Sequence, residues 1–130
     1  MRLQELAKAL DLEELTPLAP GGVPGSQAGG AGDRQDDPDI TQGYASDLLS
    51  DVLANAPTGG VLVTLQVHLN VIAVAGHARL RAVIFSSGRR PNAEIIAKAI
   101  EEKLALFSSS LDTFELAGRL HQMGIRGSGA

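Results

Sequence analysis

From residue 40 onward, short β-branched or apolar runs alternate with amphipathic segments of about ten residues, and this alternation restricts the possible folds more than any other feature of the chain. ITQGYA (40–45), VLVTLQ (61–66), RAVIFS (81–86) and ALFS (105–108) read as strands, with helices filling the gaps. Strand, helix and strand repeated in this way is the pattern of a parallel α/β layer. Composition points the same way. Of the 130 residues 44% are hydrophobic, yet Tyr44, Phe85, Phe107 and Phe114 are the only aromatics, so the core must be built from Leu, Ile, Val and Ala. The expected fold class is α/β: a single three-layer domain with a mostly parallel central sheet and helical crossovers.

The helices are read from apolar spacing. Leu3, Leu6, Ala7 and Leu10 mark a short N-terminal helix, followed by a brief extended piece around Leu15 to Leu18. Leu48, Leu49, Val52, Leu53 and Ala56 form one stripe, stopped by Pro57, Gly59 and Gly60. Ile95, Ile96, Ala99 and Ile100 form another, and Phe114, Ala117, Leu120 and Met123 a third, with Gly124 as its stop. The segment LNVIAVAGHA from residue 69 is apolar almost all round. It must be covered on more than one side, either by a central position in the domain or by a second copy of the chain.

Residues 19–39, APGGVPGSQAGGAGDRQDDPD, break the pattern. Such a segment buries too little surface to offset its ordering entropy. Its glycines are not followed by the Gly-Lys-Ser/Thr of a phosphate loop. The expected organisation is a helix and short strand in 1–19, a flexible insertion in 20–38, the α/β core in 39–125 and a tail in 126–130.

A formal net charge of −4 without a long basic run leaves no electrostatic footprint for nucleic acid or an anionic membrane. The absence of cysteine removes disulfides, thiolate catalysis and Cys-ligated zinc together. No apolar window reaches the ~18 residues of a membrane span, and the charged N-terminus has no signal-peptide core. A soluble cytoplasmic protein is expected. No Gly-x-Ser-x-Gly elbow surrounds any serine. His68, His77 and His121 lack metal-ligand spacing. No metal, cofactor or catalytic residue is expected.

In a parallel sheet the strand-to-helix junctions share one edge, so polar residues distant in sequence become neighbours. Ser46 and Asp47 occupy the first junction, Gln66, His68 and Asn70 the second, Ser86, Arg89 and Arg90 the third, and Ser110 with Asp112 the fourth. Capping accounts for the hydroxyls and for Asn92, because Ser, Asp and Asn satisfy orphan N–H groups at helix starts. It does not account for Arg89 and Arg90, whose charge is mildly unfavourable at a helix N-terminus, nor for Gln66 or His68. A site formed by Ser46, Asp47, Gln66, His68, Asn70, Ser86, Arg89 and Ser110 would suit a phosphate or carboxylate.

DITQGYASDLLSDVLANA (39–56) followed by VLVTLQVHLNVIAVA (61–75) resembles the DRTGG domain, in particular the small stand-alone proteins of that family. FELAGRLHQMG (114–124) is similar to the family's closing helix. The sequence departs from the eponymous motif, with Asp37-Pro38 in place of Asp-Arg and Gln42-Gly43 in place of the paired glycines. The resemblance implies a non-catalytic module related in fold to the N-terminal domain of HPr kinase/phosphorylase. Members also occur between CBS domains of regulated pyrophosphatases and are commonly dimeric. The expected function is therefore a regulatory or ligand-sensing homodimer that takes a small anionic or nucleotide-like ligand at the rim. The alternatives are a partner-docking dimerisation protein with no small ligand, and a small enzyme using His68.

Overall fold

A computed structural model of the protein describes residues 1–17 and 37–128. In chain order the elements are α1 (Leu3–Ala9), β1 (Glu13–Glu14), β2 (Gly43–Ala45), α2 (Leu49–Asn55), β3 (Val61–Thr64), α3 (Leu69–His77), β4 (Ala82–Phe85), α4 (Ala93–Glu101), β5 (Ala105–Ser108) and α5 (Thr113–Gln122). One sheet runs in the order β1-β5-β4-β3-β2. β2 to β5 are parallel and β1 pairs antiparallel with β5. The expected α/β architecture is present.

Every residue of β3, β4 and β5 is buried, as a parallel strand covered on both faces requires. Their side chains alternate between two cores. Val61, Val63, Ile84 and Phe107 meet Leu3, Leu6, Leu116 and Leu120 of α1 and α5. Leu62, Val83, Phe85 and Leu106 meet Val52, Val71, Ile72, Ala75, Ile95 and Ala99 of α2, α3 and α4. Three layers result, with α2, α3 and α4 on one face and α1 and α5 on the other.

Several boundaries differ from the sequence expectation. β2 starts at Gly43 because the chain before it is used elsewhere: the Ile40 N–H donates to the Met1 carbonyl, and Ile40 is buried under α1. The early extended piece is Glu13–Glu14, prolonged by Leu15 and Thr16, which exchange hydrogen bonds with Leu106. Arg126, where a tail was expected, pairs with the outer edge of β2 through Thr41 and Gly43. Of the expected insertion, only Asp37 and Pro38 lie within the described residues. They accept hydrogen bonds from Gln4 and Leu3, first-turn N–H groups of a helix that has no side-chain cap of its own.

The apolar stripes are only partly buried. α2 lies over the edge strand β2 with α3 as its helical neighbour, so Val52 is buried while Leu48 and Leu53 face outward. α3 is flanked by α2 and α4, and this covers Val71, Ile72 and Ala75. Its outer side, with Leu69, Ala73, Gly76 and His77, remains exposed. On α5 the buried positions are Leu116 and Leu120. Phe114 sits roughly 200° around the helix from Leu116 and is 89% exposed, which corrects its expected place in the core stripe.

Four of the helices end alike. The N–H of Leu12, Leu80, Leu104 or Ile125 reaches back to the carbonyl five residues earlier, and the residue before it has positive φ. This is the Schellman arrangement, and it returns the chain to the core through the apolar residue. The left-handed residues are Asp11 (φ 53°), Arg79 (58°), Lys103 (59°) and Gly124 (100°). Only α5 uses the glycine that this conformation favours.

Candidate functional site

The strand-to-helix junctions line one edge of the sheet, as expected, but their polar groups form two rows with different roles. The inner row is bonded to itself, with its hydroxyls at Thr64, Ser86 and Ser108 buried and Asp47 exposed. Asp47 Oδ1 accepts from the Thr64 hydroxyl at 3.0 Å and from the Leu65 N–H at 2.7 Å. Thr64 Oγ1 accepts in turn from the Gln66 N–H, and Gln66 Nε2 donates to the Asp47 carbonyl. The Thr64 carbonyl takes the Ser86 N–H, and Ser86 Oγ lies 2.7 Å from Thr113 Oγ1. Ser108 Oγ donates to the Arg89 carbonyl. Thr64, Ser86, Ser108 and Ser109 are all buried. A continuous hydrogen-bond chain thus stitches the junctions of β2, β3, β4 and β5 together.

The capping roles are therefore redistributed. Leu48 is the N-cap of α2 and receives no side-chain cap bond, so Ser46 and Asp47 do not cap that helix. Ser46 Oγ accepts from the Leu48 N–H, closing a local turn, while Asp47 is turned toward β3. Asn92 caps α4 as expected, accepting from the Ile95 N–H at 3.0 Å. Asp112, not Ser110, caps α5 through the Glu115 N–H. His68 occupies the N-cap of α3 without making a cap bond.

His68, Asn70, Arg89 and Ser110 remain exposed on the outer row. The two arginines divide sharply. Arg90 Nη2 lies 2.9 Å from Glu13 Oε2, tying the β4–α4 junction to β1. Arg89 forms no ion pair among the described residues. Of the eight rim residues, Ser46, Asp47, Gln66 and Ser86 are thus engaged in holding junctions, and His68, Asn70, Arg89 and Ser110 present their side chains to solvent. The outer row also carries exposed apolar side chains, Leu69 (46% exposed) and two that spacing placed in core stripes, Leu48 (65%) and Phe114.

Tyr44 joins β2 to α2. Its hydroxyl donates to Asp51 Oδ1 at 2.7 Å, and Asn55 donates to the same oxygen. The hydrogen bond from Tyr44 holds the Asp51 carboxyl below the usual carboxylate range, and Ser46 and Asn55 act in the same direction. Reciprocally, the bond to Asp51 raises the Tyr44 hydroxyl above its usual value. The carboxylate contribution is present above about pH 4 and is lost on acidification. The phenol contribution is present below about pH 10 and is lost on alkalinisation. Tyr44→Phe should therefore flatten both flanks of the stability profile, read as urea midpoints between pH 2 and 11. An unchanged profile would show that the bond makes no net contribution.

The cavities lie away from most of the rim. A groove of about 530 Å³ between α3 and α4 includes Leu69, Asn70, Ala73, Gly76, His77 and Lys98. A smaller cavity of about 160 Å³ lies between β2 and α5, against Tyr44, Ala45, Leu120 and His121. Among the described residues, no helix is long and apolar enough to cross a membrane, and no group of three or more His, Asp or Glu is placed to hold a metal ion.

No protein-family model matches the sequence, and no curated protein matches it. The fold resembles the crystal structure of the CBS and DRTGG domains of the regulatory region of Clostridium perfringens pyrophosphatase, complexed with its activator diadenosine tetraphosphate. The TM-score is 0.65 at 12% sequence identity, over 89% of this chain and 44% of that one. The chain thus spans less than half the length of that regulatory region, and the likeness is one of fold.

Proposed function

We propose that this protein is a non-catalytic regulatory module of the DRTGG type that senses a small anionic or nucleotide-like ligand at the outer rim. The observation that carries the reading is Arg89. It is the rim guanidinium left without an ion pair among the described residues, and it stands just before α4, whose cap is already supplied by Asn92. A positive side chain at that end of a helix has no stabilising role toward the helix, whereas a guanidinium beside helix N–H groups is suited to a phosphate or carboxylate. His68 and Asn70 on the neighbouring junction supply further hydrogen-bonding groups. The fold likeness to a regulatory region that binds a nucleotide activator supports the same class of ligand.

The test is thermal stabilisation by a panel containing diadenosine tetraphosphate, mononucleotides and anionic metabolites. A ligand at about 100 times its dissociation constant adds about 2.7 kcal/mol, a rise of several degrees in melting temperature. Arg89→Ala should weaken binding by about 1.5–3 kcal/mol and leave the free protein's stability almost unchanged. The absence of any shift across the panel would overturn the reading.

Partner docking, with homodimerisation as its simplest form, is favoured by a separate observation: Leu48, Leu53 and Leu69 of α2 and α3 and their approach are exposed together with Ala73. A dimer by sedimentation at tens of micromolar that Leu69→Glu dissociates is the expected result. A monomer at that concentration would count against it.

A further inference from the structure

At the opposite edge of the sheet, where the helices return to β3, β4 and β5, a cleft of about 550 Å³ is lined by Gly59, Gly76, Arg79, Arg81, Glu102 and Lys103 over a floor that includes Ile72 and Leu104. We infer that this cleft is a second binding site, for a phosphate-bearing anion gripped by Arg79, Arg81 and Lys103.

Three local choices in the cleft run against stability. Arg79 and Lys103 hold the left-handed positions that end α3 and α4. Glycine is the residue that relieves strain there, and Gly124 takes that place at the end of α5. Gly76 lies within α3, where an added Cβ would meet nothing within 4 Å. Alanine there would strengthen the helix without a clash. Gly118 on α5 is similarly unconstrained but lines none of the cavities described above. Asp11 at the end of α1 is of a residue type that tolerates this backbone. Ser87 at the rim also has positive φ, but the departures at Arg79, Lys103 and Gly76 share one surface, and such departures mark sites kept for function.

The charges agree with that assignment. None of Arg79, Arg81 and Lys103 forms an ion pair among the described residues, while Glu102, the acidic member of the lining, is engaged by Lys98 at 3.1 Å. Attraction of cations to helix C-termini is met on α4 by Lys98 within its last turn, on ordinary helical backbone. It does not require cations at strained positions, and Arg81 lies beyond the helix altogether. The absence of a side chain at Gly76 leaves the wall open. The cleft volume falls within the range of small-ligand sites, and three converging cations select a di- or triphosphate group over a single carboxylate. The same chemistry occurs in inorganic polyphosphates and in nucleotides.

The experiment is titration of ¹⁵N-labelled protein with inorganic tripolyphosphate, and separately with ATP, followed by amide shifts. Saturable shifts at Gly76 to Arg81 and at Lys103 are expected with tripolyphosphate. Tighter binding by ATP would show that the nucleoside adds contacts, and equal binding that the phosphates suffice. Arg79→Gly with Lys103→Gly should lower affinity at this cleft at least tenfold and raise the melting temperature by several degrees. Gly76→Ala should also raise the melting temperature while weakening binding. Arg89→Ala, at the far edge, should leave these shifts in place. Shifts confined to Ser86–Arg90, no saturation at millimolar concentration, or full affinity in the double glycine variant would overturn the proposal without touching the rim site.

Discussion

Replacing Phe107 by alanine should lower the unfolding free energy by about 3–5 kcal/mol, whereas the same replacement at Phe114 should change it by less than about 0.5 kcal/mol. Phe107 is fully buried on β5, within the core that also holds Leu3, Leu6, Leu116 and Leu120. β5 is hydrogen-bonded on both sides, to β4 and β1, so the backbone cannot collapse to fill the space left by the ring. The loss should reach the N-terminus as well. α1 is only seven residues long and without a side-chain cap, too short to persist by itself, and its Leu3 and Leu6 pack in the same core. Chemical denaturation of both variants, with amide exchange on Leu6 and Ala7, checks the pair. Equal effects at the two phenylalanines would mean that the register of α5 is not as described.

Asp47→Ala should cost about 3 kcal/mol, more than Ser46→Ala, which should cost about 1 kcal/mol or less. The Asp47 carboxylate accepts two hydrogen bonds, one of them from the buried hydroxyl of Thr64. Its removal leaves that hydroxyl and the Leu65 N–H without their acceptor, and bonds to a charged group are each worth about 1.5–3 kcal/mol. Ser46 Oγ serves one turn at an exposed junction. Asp47→Asn, which keeps an acceptor oxygen, should recover part of the loss. Thr64→Val in the Asp47→Ala background should recover little, because it removes the stranded hydroxyl but also the acceptor of the Gln66 N–H. Equal destabilisation by Ser46→Ala and Asp47→Ala would show that the pair acts as ordinary helix capping.

The expected effects at Ser46 and Asp47 show how a site can be legible in sequence while its roles are not. The alternation of apolar runs and amphipathic segments placed the strand-to-helix junctions at one edge, and Asn92 was recognisable as a cap because capping is a three-residue interaction. The partner of Asp47 is 17 residues away on another strand. No local pattern distinguishes an aspartate that caps its own helix from one that braces the neighbouring junction. Arg89 and Arg90 were equivalent in sequence for the same reason. Glu13, which pairs with Arg90, reaches it only because β1 lies beside β5. The cleft at the opposite edge also left a faint trace, in the cations just after α3 and α4 where a stop residue is usual. It became visible only once φ at Arg79 and Lys103 was known.

By itself the sequence determined what depends on short-range periodicity. Consecutive apolar residues in VLV and AVIF demand burial on both faces, and that demand with intervening helices leads to a three-layer parallel sheet. The tertiary structure decided which side of each helix was covered. Leu48, Leu53, Leu69 and Phe114 are as apolar as the residues in the core, but the number and position of neighbouring elements left them outside. It also decided which edge of the sheet β1 would occupy and which charges would find partners. Those outcomes depend on contacts between residues far apart in the chain, where hydrophobicity specifies that a residue seeks cover and geometry specifies whether any is available.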